Sequence, residues 1–218
     1  LEAVESGEGD GEVGAGHVSD GSFKFGKYTG LETEGAFGVL DVNIQRRGPY
    51  DGDSAGYWNF TGSNLGLTSR DARIEYGDQG NYKVYFEYDQ LPTFRSNSAQ
   101  TIFDGAGSTQ LTLPAGWVAS GTTPGMTQLL PNLKDIDIEH ERRRVGVGFA
   151  KVLPRGWDFG TSYRHETKEG LKTVGAVIGN SGGNPRAVIL PEPIDYATQQ
   201  FEAVLKYADR KKQFQAGY

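Results

Sequence analysis

The chain has 218 residues, 36% of them hydrophobic, with 32 Gly, 11% aromatic residues and a formal charge of -6. That length admits one large β domain or two small ones, and so much Gly and Tyr beside few aliphatics suits strands and turns around a polar interior better than a dense soluble core. The negative charge excludes a nucleic-acid partner, and the absence of Cys excludes disulfides, thiolate metal sites and covalent c-type haem on this chain.

In chain order, residues 1–10, LEAVESGEGD, read as a mobile acidic N-terminus, and residues 11–218 as one strand-rich unit. Strands are expected over Gly11–Ser19, Gly35–Arg46, Tyr57–Thr61, about Leu65–Tyr76 and Tyr82–Gln90. A long irregular segment with four prolines follows at 91–135, then strands over about Ile136–Leu153 and Trp157–Glu166. A second long loop is expected at 167–195, with NSGGNP and PEP, before strands at Tyr196–Tyr207 and from Gln213 onward.

The stretch Arg70–Pro92 shows the plan most clearly. Ala72, Ile74 and Tyr76 alternate with Asp71, Arg73 and Glu75; beyond Gly77–Asn81, Tyr82, Val84, Phe86 and Tyr88 alternate with Lys83, Tyr85, Glu87 and Asp89. Period-two alternation gives each strand one apolar and one charged face. Either a soluble sheet buries the apolar face, or a transmembrane barrel turns it to lipid and the charges to a wet lumen.

Loop lengths favour the barrel. Connections after the fourth, sixth and eighth strands are about three to five residues, and those after the fifth and seventh about 45 and about 29, the short-turn and long-loop asymmetry of outer-membrane barrels. Tyr76, Tyr82, Trp157, Tyr207 and Phe214 all lie beside short turns, where an interfacial girdle belongs. No apolar run approaches the ~20 residues of a transmembrane helix, which says nothing against strands. The fold expected is therefore all-β, an antiparallel up-and-down transmembrane β-barrel in the bacterial outer membrane. About nine strands lie in this chain, and the odd number predicts a larger barrel.

Ile74, Val84, Phe86, Val147, Phe159 and Leu205 are expected to face lipid. Arg73, Glu75, Lys83, Glu87, Asp89, Arg142, Arg144, Asp158, Arg164, Glu166, Glu202 and Lys206 are expected to face the lumen.

With these residues laid out, the chain resembles the MtrB/PioB family of decahaem-associated outer-membrane proteins. The likeness rests on GEVGAGHVSDGSFKFGKYTGL (Gly11–Leu31) and YWNFTGSNLGLTSRDARIEYGDQGNYKVYFEYDQLP (Tyr57–Pro92); beyond Pro92 it is one of strand-and-loop style. The resemblance implies a large barrel sheathing a periplasmic multihaem c-type cytochrome. A second, extracellular multihaem cytochrome is a further partner, in a conduit that moves electrons across the outer membrane. It implies haem on the partner and no cofactor here. The C-x-x-C of some members is absent. Under this reading the charged face contacts the cytochrome. Rival readings are a diffusion porin with 91–135 folded inward, and a soluble β-sandwich that binds ligands through its loops.

Other motifs carry little. His17, His140 and His165 are scattered and lack ligand spacing. Asp51–Gly56 imitates a calcium loop, but Ala55 and Gly62 stand where oxygen ligands belong. Gly11–Gly16 has the wrong order for a dinucleotide fingerprint. No catalytic constellation can be assembled, so no enzyme is expected.

Overall fold

The computed structural model describes residues 6–48, 55–181 and 184–218. Its strands are β1 Ser6–Val18, β2 Gly35–Arg47, β3 Gly56–Ser63, β4 Asp71–Asp78, β5 Tyr82–Thr101, β6 Lys134–Leu153, β7 Trp157–Ser181, β8 Asn184–Ala208 and β9 Gln213–Gly217. They form one nine-stranded sheet in sequence order, every neighbour antiparallel, with β1 and β9 as its edges and no pairing between them.

Four boundaries differ from the sequence expectation. β1 begins at Ser6, so half of the acidic stretch expected to be mobile pairs with β2, Glu8 opposite Gln45 and Asp10 opposite Asn43. Its carboxylates meet amide side chains, which stabilise a stretch too polar to read as a strand. β4 begins at Asp71 and not near Leu65. Residues 64–70 are a connection, opened by Asn64 at φ 53 and tied back by Leu65 N–H to the Leu40 carbonyl.

The segment expected to be irregular from Leu91 begins only at Ile102, because β5 runs on through Pro92 to Thr101 with register shifts between Phe94 and Ala99. Most of the loop expected at 167–195 is strand: β7 and β8 stay paired from Trp157–Tyr207 out to Ser181–Asn184. Pro191 and Pro193 lie within β8, opposite Thr173 and Leu171 of β7. The residues of the calcium-like motif from Asp51 to Ser54 lie outside the described residues.

Register sets the faces. Ile44, Phe60, Ile74, Phe86, Val147, Tyr163 and Phe201 form one continuous cross-strand row, and Asn43, Thr61, Arg73, Glu87, Gly146, Arg164 and Gln200 form the next, on the other face. The apolar row is the open one: Ile74 is 46%, Phe86 48% and Phe201 54% exposed. The charged face is sheltered at its centre, with the side chains of Glu75 and Glu87 at 20% and 22%, and opens toward β8, where Glu202 and Lys206 are exposed. Among the described residues the buried hydrophobics are Val18, Leu67, Ile138 and Ile194 alone. A β-sandwich needs a second layer over its apolar face; the described residues supply one sheet and no such layer.

Connections 79–81, 154–156 and 209–212 lie at one end of the sheet, and 19–34, 64–70, 102–133 and the β7–β8 hairpin tip at the other. A tag inserted within Ser108–Gly125 of the full-length protein should be reached by protease or antibody on intact cells. A tag at Gly80 or Arg210 should be reached only after the outer membrane is opened. Reversed accessibility would overturn this orientation.

Candidate functional site: the charged face

All twelve side chains expected to face a lumen, from Arg73 to Lys206, share one face of the sheet, and all six expected to face lipid share the other. The centre of the charged face is a connected network. Arg73 donates to Glu87 at 2.9 Å and to Glu75 at 3.0 Å, and its guanidinium lies 3.9 Å from the centre of the Tyr85 ring. Tyr57 O–H donates to Glu75 at 2.9 Å, and Lys83 Nζ stands 3.8 Å from the same carboxylate. Arg164 reaches Glu87 from the other side at 3.5 Å.

A second cluster lies toward the long-loop end. Arg142 donates to Asp89 at 2.9 Å and stands 3.9 Å from Glu166, while Arg144 lies 3.8 Å from Asp89. Half-exposed pairs of this kind contribute about 0 to 1 kcal/mol each, so the network shapes the wall more than it stabilises it. The carboxylates are largely engaged, yet the Nε–H groups of Arg142, Arg144 and Arg164 are buried without a protein acceptor. Toward the short turns, Asp158 faces Lys206 across the β7–β8 ladder, and with Tyr57, Glu75 and Lys83 they line a cavity of about 990 Å³. Glu202 stands apart, bonded to the neighbouring Gln200.

Several members were not singled out from sequence. Tyr57 and Tyr85 belong to the network. Tyr85 had a signal, its place among Lys83, Glu87 and Asp89 on the charged side of the alternation. Glu8, Asp10, Glu12 and Asp41 extend the face across β1 and β2, with Glu12 directly opposite Asp41.

Gly146 and Gly148 give the wall its shape. A Cβ at Gly148 would fall 2.3 Å from the Tyr85 ring, and one at Gly146 would fall 2.6 Å from Glu87 Oε1. The two glycines thus let Tyr85 and Glu87 lie across β6, where Arg73 and Arg164 meet them. Gly148→Val should displace Tyr85 and cost about 1 to 3 kcal/mol. Gly160→Ala, with nothing within 4 Å of its Cβ, should cost little. Unfolding midpoints in detergent compare the two, and equal effects would refute the packing role.

On the open face, Tyr76 and Tyr82 lie 6.3 Å apart and Trp157 and Tyr207 4.9 Å apart, with Phe214 opposite Tyr207. These five aromatics form a row beside the short turns. His140 and His165 sit on opposite faces, and among the described residues no cluster of three His, Asp or Glu side chains gathers to hold a metal.

A single meander with an uncovered apolar face, an aromatic row at its short-turn end and a sheltered charged face is the wall of a transmembrane β-barrel. The chain belongs to the MtrB/PioB family: the model of that family, described as an outer membrane beta-barrel porin, matches residues 17–218. It is also 34% identical over 206 residues to "Outer membrane protein MtrB" of Shewanella baltica (strain OS185), an alignment covering 93% of this chain and 28% of that protein. The chain therefore spans little more than a quarter of that relative's length. The likeness continues well past Pro92, where the sequence motifs thin out. The protein is thus an outer-membrane β-barrel protein of a porin-like family, and that family is not one of enzymes.

Proposed function

We propose that this chain forms part of the wall of a barrel that sheaths a periplasmic multihaem c-type cytochrome and holds it in a conduit for electrons across the outer membrane. The observation that carries the reading is the inversion of burial. At the centre of the sheet the carboxylates of the charged face are more sheltered than the apolar side chains opposite, so the wall offers hydrocarbon to lipid and a polar groove to whatever fills the barrel. Mixed signs along that groove suit a folded protein surface, which presents both, better than the transit of one class of ion. The part-exposed guanidinium groups of Arg142, Arg144 and Arg164 suit carboxylates on such a surface.

Electron transfer belongs to the partner's haems, since this chain has no Cys to bind haem covalently. Its own work is to exclude lipid from a charged protein and to fix that protein's position. An extracellular multihaem cytochrome at the long-loop end would complete the path. The test is purification of the full-length barrel in mild detergent, reading the haem Soret band per barrel. Stoichiometric haem that stays through gel filtration is expected. Absence of haem, with free leakage of small solutes from liposomes containing the barrel, would replace this reading with a diffusion porin.

A further inference from the structure

The short-turn end carries a basic patch that the groove does not use. The turn at Pro154–Gly156 and the turn at 209–212 lie against each other. Gly156, at φ +80, stands so close to Ala208 that a Cβ there would be 2.3 Å from the Ala208 carbonyl oxygen. This contact gathers Arg155, Arg210, Lys211 and Lys212 at one corner of a chain whose formal charge is -6. All four are exposed. Elsewhere on the sheet Arg73, Arg142, Arg143, Arg164 and Lys172 each have a carboxylate within 4.0 Å. Among the described residues none of these four has one.

The one acid in the patch is already committed. Asp209 Oδ1 accepts the N–H groups of Lys211 and Lys212, both at 2.7 Å, and Oδ2 accepts the Tyr207 hydroxyl at 2.7 Å. Those bonds fold the turn and leave the cationic side chains without a counter-charge. They also hold the carboxyl below the usual carboxylate range, chiefly through the Lys211 N–H and the Tyr207 hydroxyl, so it stays ionised in the turn.

The patch sits at a defined depth. Trp157 and Tyr207 meet in a tilted ring contact on the open face immediately inside it, at the level where amphipathic rings meet the edge of the hydrocarbon. Lys151, on that same open face, places its ammonium 5.9 Å over the Tyr82 ring and 3.0 Å from Asn81 Oδ1, its stem along apolar surface and its charge drawn toward the turns. Groups found just beyond such an aromatic row are lipid phosphates.

We infer that Arg155, Arg210, Lys211 and Lys212, with Lys151, form a binding site for the headgroups of anionic phospholipids in the leaflet beside the short turns. The site would anchor this edge of the wall in depth and rotation. The inference rests on the open face being lipid-facing and not on what fills the barrel.

The experiment uses the full-length barrel and the variant Arg155→Gln/Arg210→Gln/Lys211→Gln/Lys212→Gln. Both are equilibrated with mixed micelles of phosphatidylethanolamine and phosphatidylglycerol, repurified, and their retained lipid quantified. Heat-modifiable gel migration reports folding. Should the quadruple variant not fold, Arg210→Gln/Lys212→Gln, which leaves the Asp209 turn intact, takes its place. The wild type should retain phosphatidylglycerol over phosphatidylethanolamine, and the variant's preference should fall at least about fivefold. Lys24→Gln/Lys27→Gln, at the opposite end, should leave the preference unchanged. Haem per barrel should be the same in all three proteins. No preference in the wild type, or an undiminished one in the folded variant, would overturn the site. Loss of haem or of a bound protein with lipid preference intact would make the patch a protein-docking face and overturn it equally.

Discussion

Phe86→Arg should cost about 2 to 4 kcal/mol of folding free energy in a bilayer, the range for Arg at the midplane of a barrel's lipid face. Phe86 stands midway along the apolar stretch of β5, between Ile74 and Val147 on the neighbouring strands and 48% exposed. Nothing in the described structure covers it, so only lipid can desolvate the new guanidinium. Val84, one pair nearer the aromatic row, should tolerate Arg better, and Tyr82, in that row, better still. The gradient follows from depth alone. Glu87→Gln is the control on the other face: an amide oxygen can still accept from Arg73, and a wet groove limits the loss to about 1 kcal/mol. Reversible folding into vesicles, followed by heat-modifiable migration, gives the comparison. Equal tolerance at Phe86 and Glu87 would refute the assignment of the faces.

That contrast was legible from alternation, because adjacent residues point oppositely whatever their neighbours do. The short turns were legible too: Gly77–Asn81 and Pro154–Gly156 contain residues that accept tight or positive-φ geometry, and Gly80 and Gly156 adopt it. Strand ends were harder. The PEP at Pro191–Pro193 looks like a loop because proline disrupts a ladder, yet β8 runs through it, and its pairing with β7 from Trp157–Tyr207 upward shows only once the two strands are aligned. The start of β1 was hidden for a related reason. Glu8 and Asp10 are poor strand formers alone and become tolerable only opposite Gln45 and Asn43, some 33 to 37 residues away.

The network itself could not be read from one strand. Arg73 meets Glu87 because the β4–β5 turn sets that register, and a slip of one residue would place Phe86 opposite it. Gly146 and Gly148 looked like ordinary strand glycines. Their reason is the side chains lying across them from β5, which appear only once β5 and β6 are aligned.

Register also sharpens the prediction for the groove. Arg142→Glu with Arg144→Glu should release the cytochrome, if the proposed function holds, and should do so beyond the loss of two contacts. Both arginines surround Asp89, and Glu166 stands opposite Arg144 and 3.9 Å from Arg142. Reversal therefore gathers four carboxylates on one patch of wall, where any acidic surface of the partner is repelled and the two guanidinium groups are gone. Each lost contact in a wet groove is worth only about 0 to 1 kcal/mol, so Arg142→Gln with Arg144→Gln should lower haem retention modestly and the double reversal much more. Raising salt should weaken retention in the wild type and partly restore it in the reversal, since screening reduces attraction and repulsion alike. The charged face stays hydrated in all three proteins, so heat-modifiable migration should show folded barrels throughout. Haem retained equally by the wild type and the double reversal, at low salt and with folding intact, would mean that the partner is held elsewhere and that this stretch of wall is merely polar.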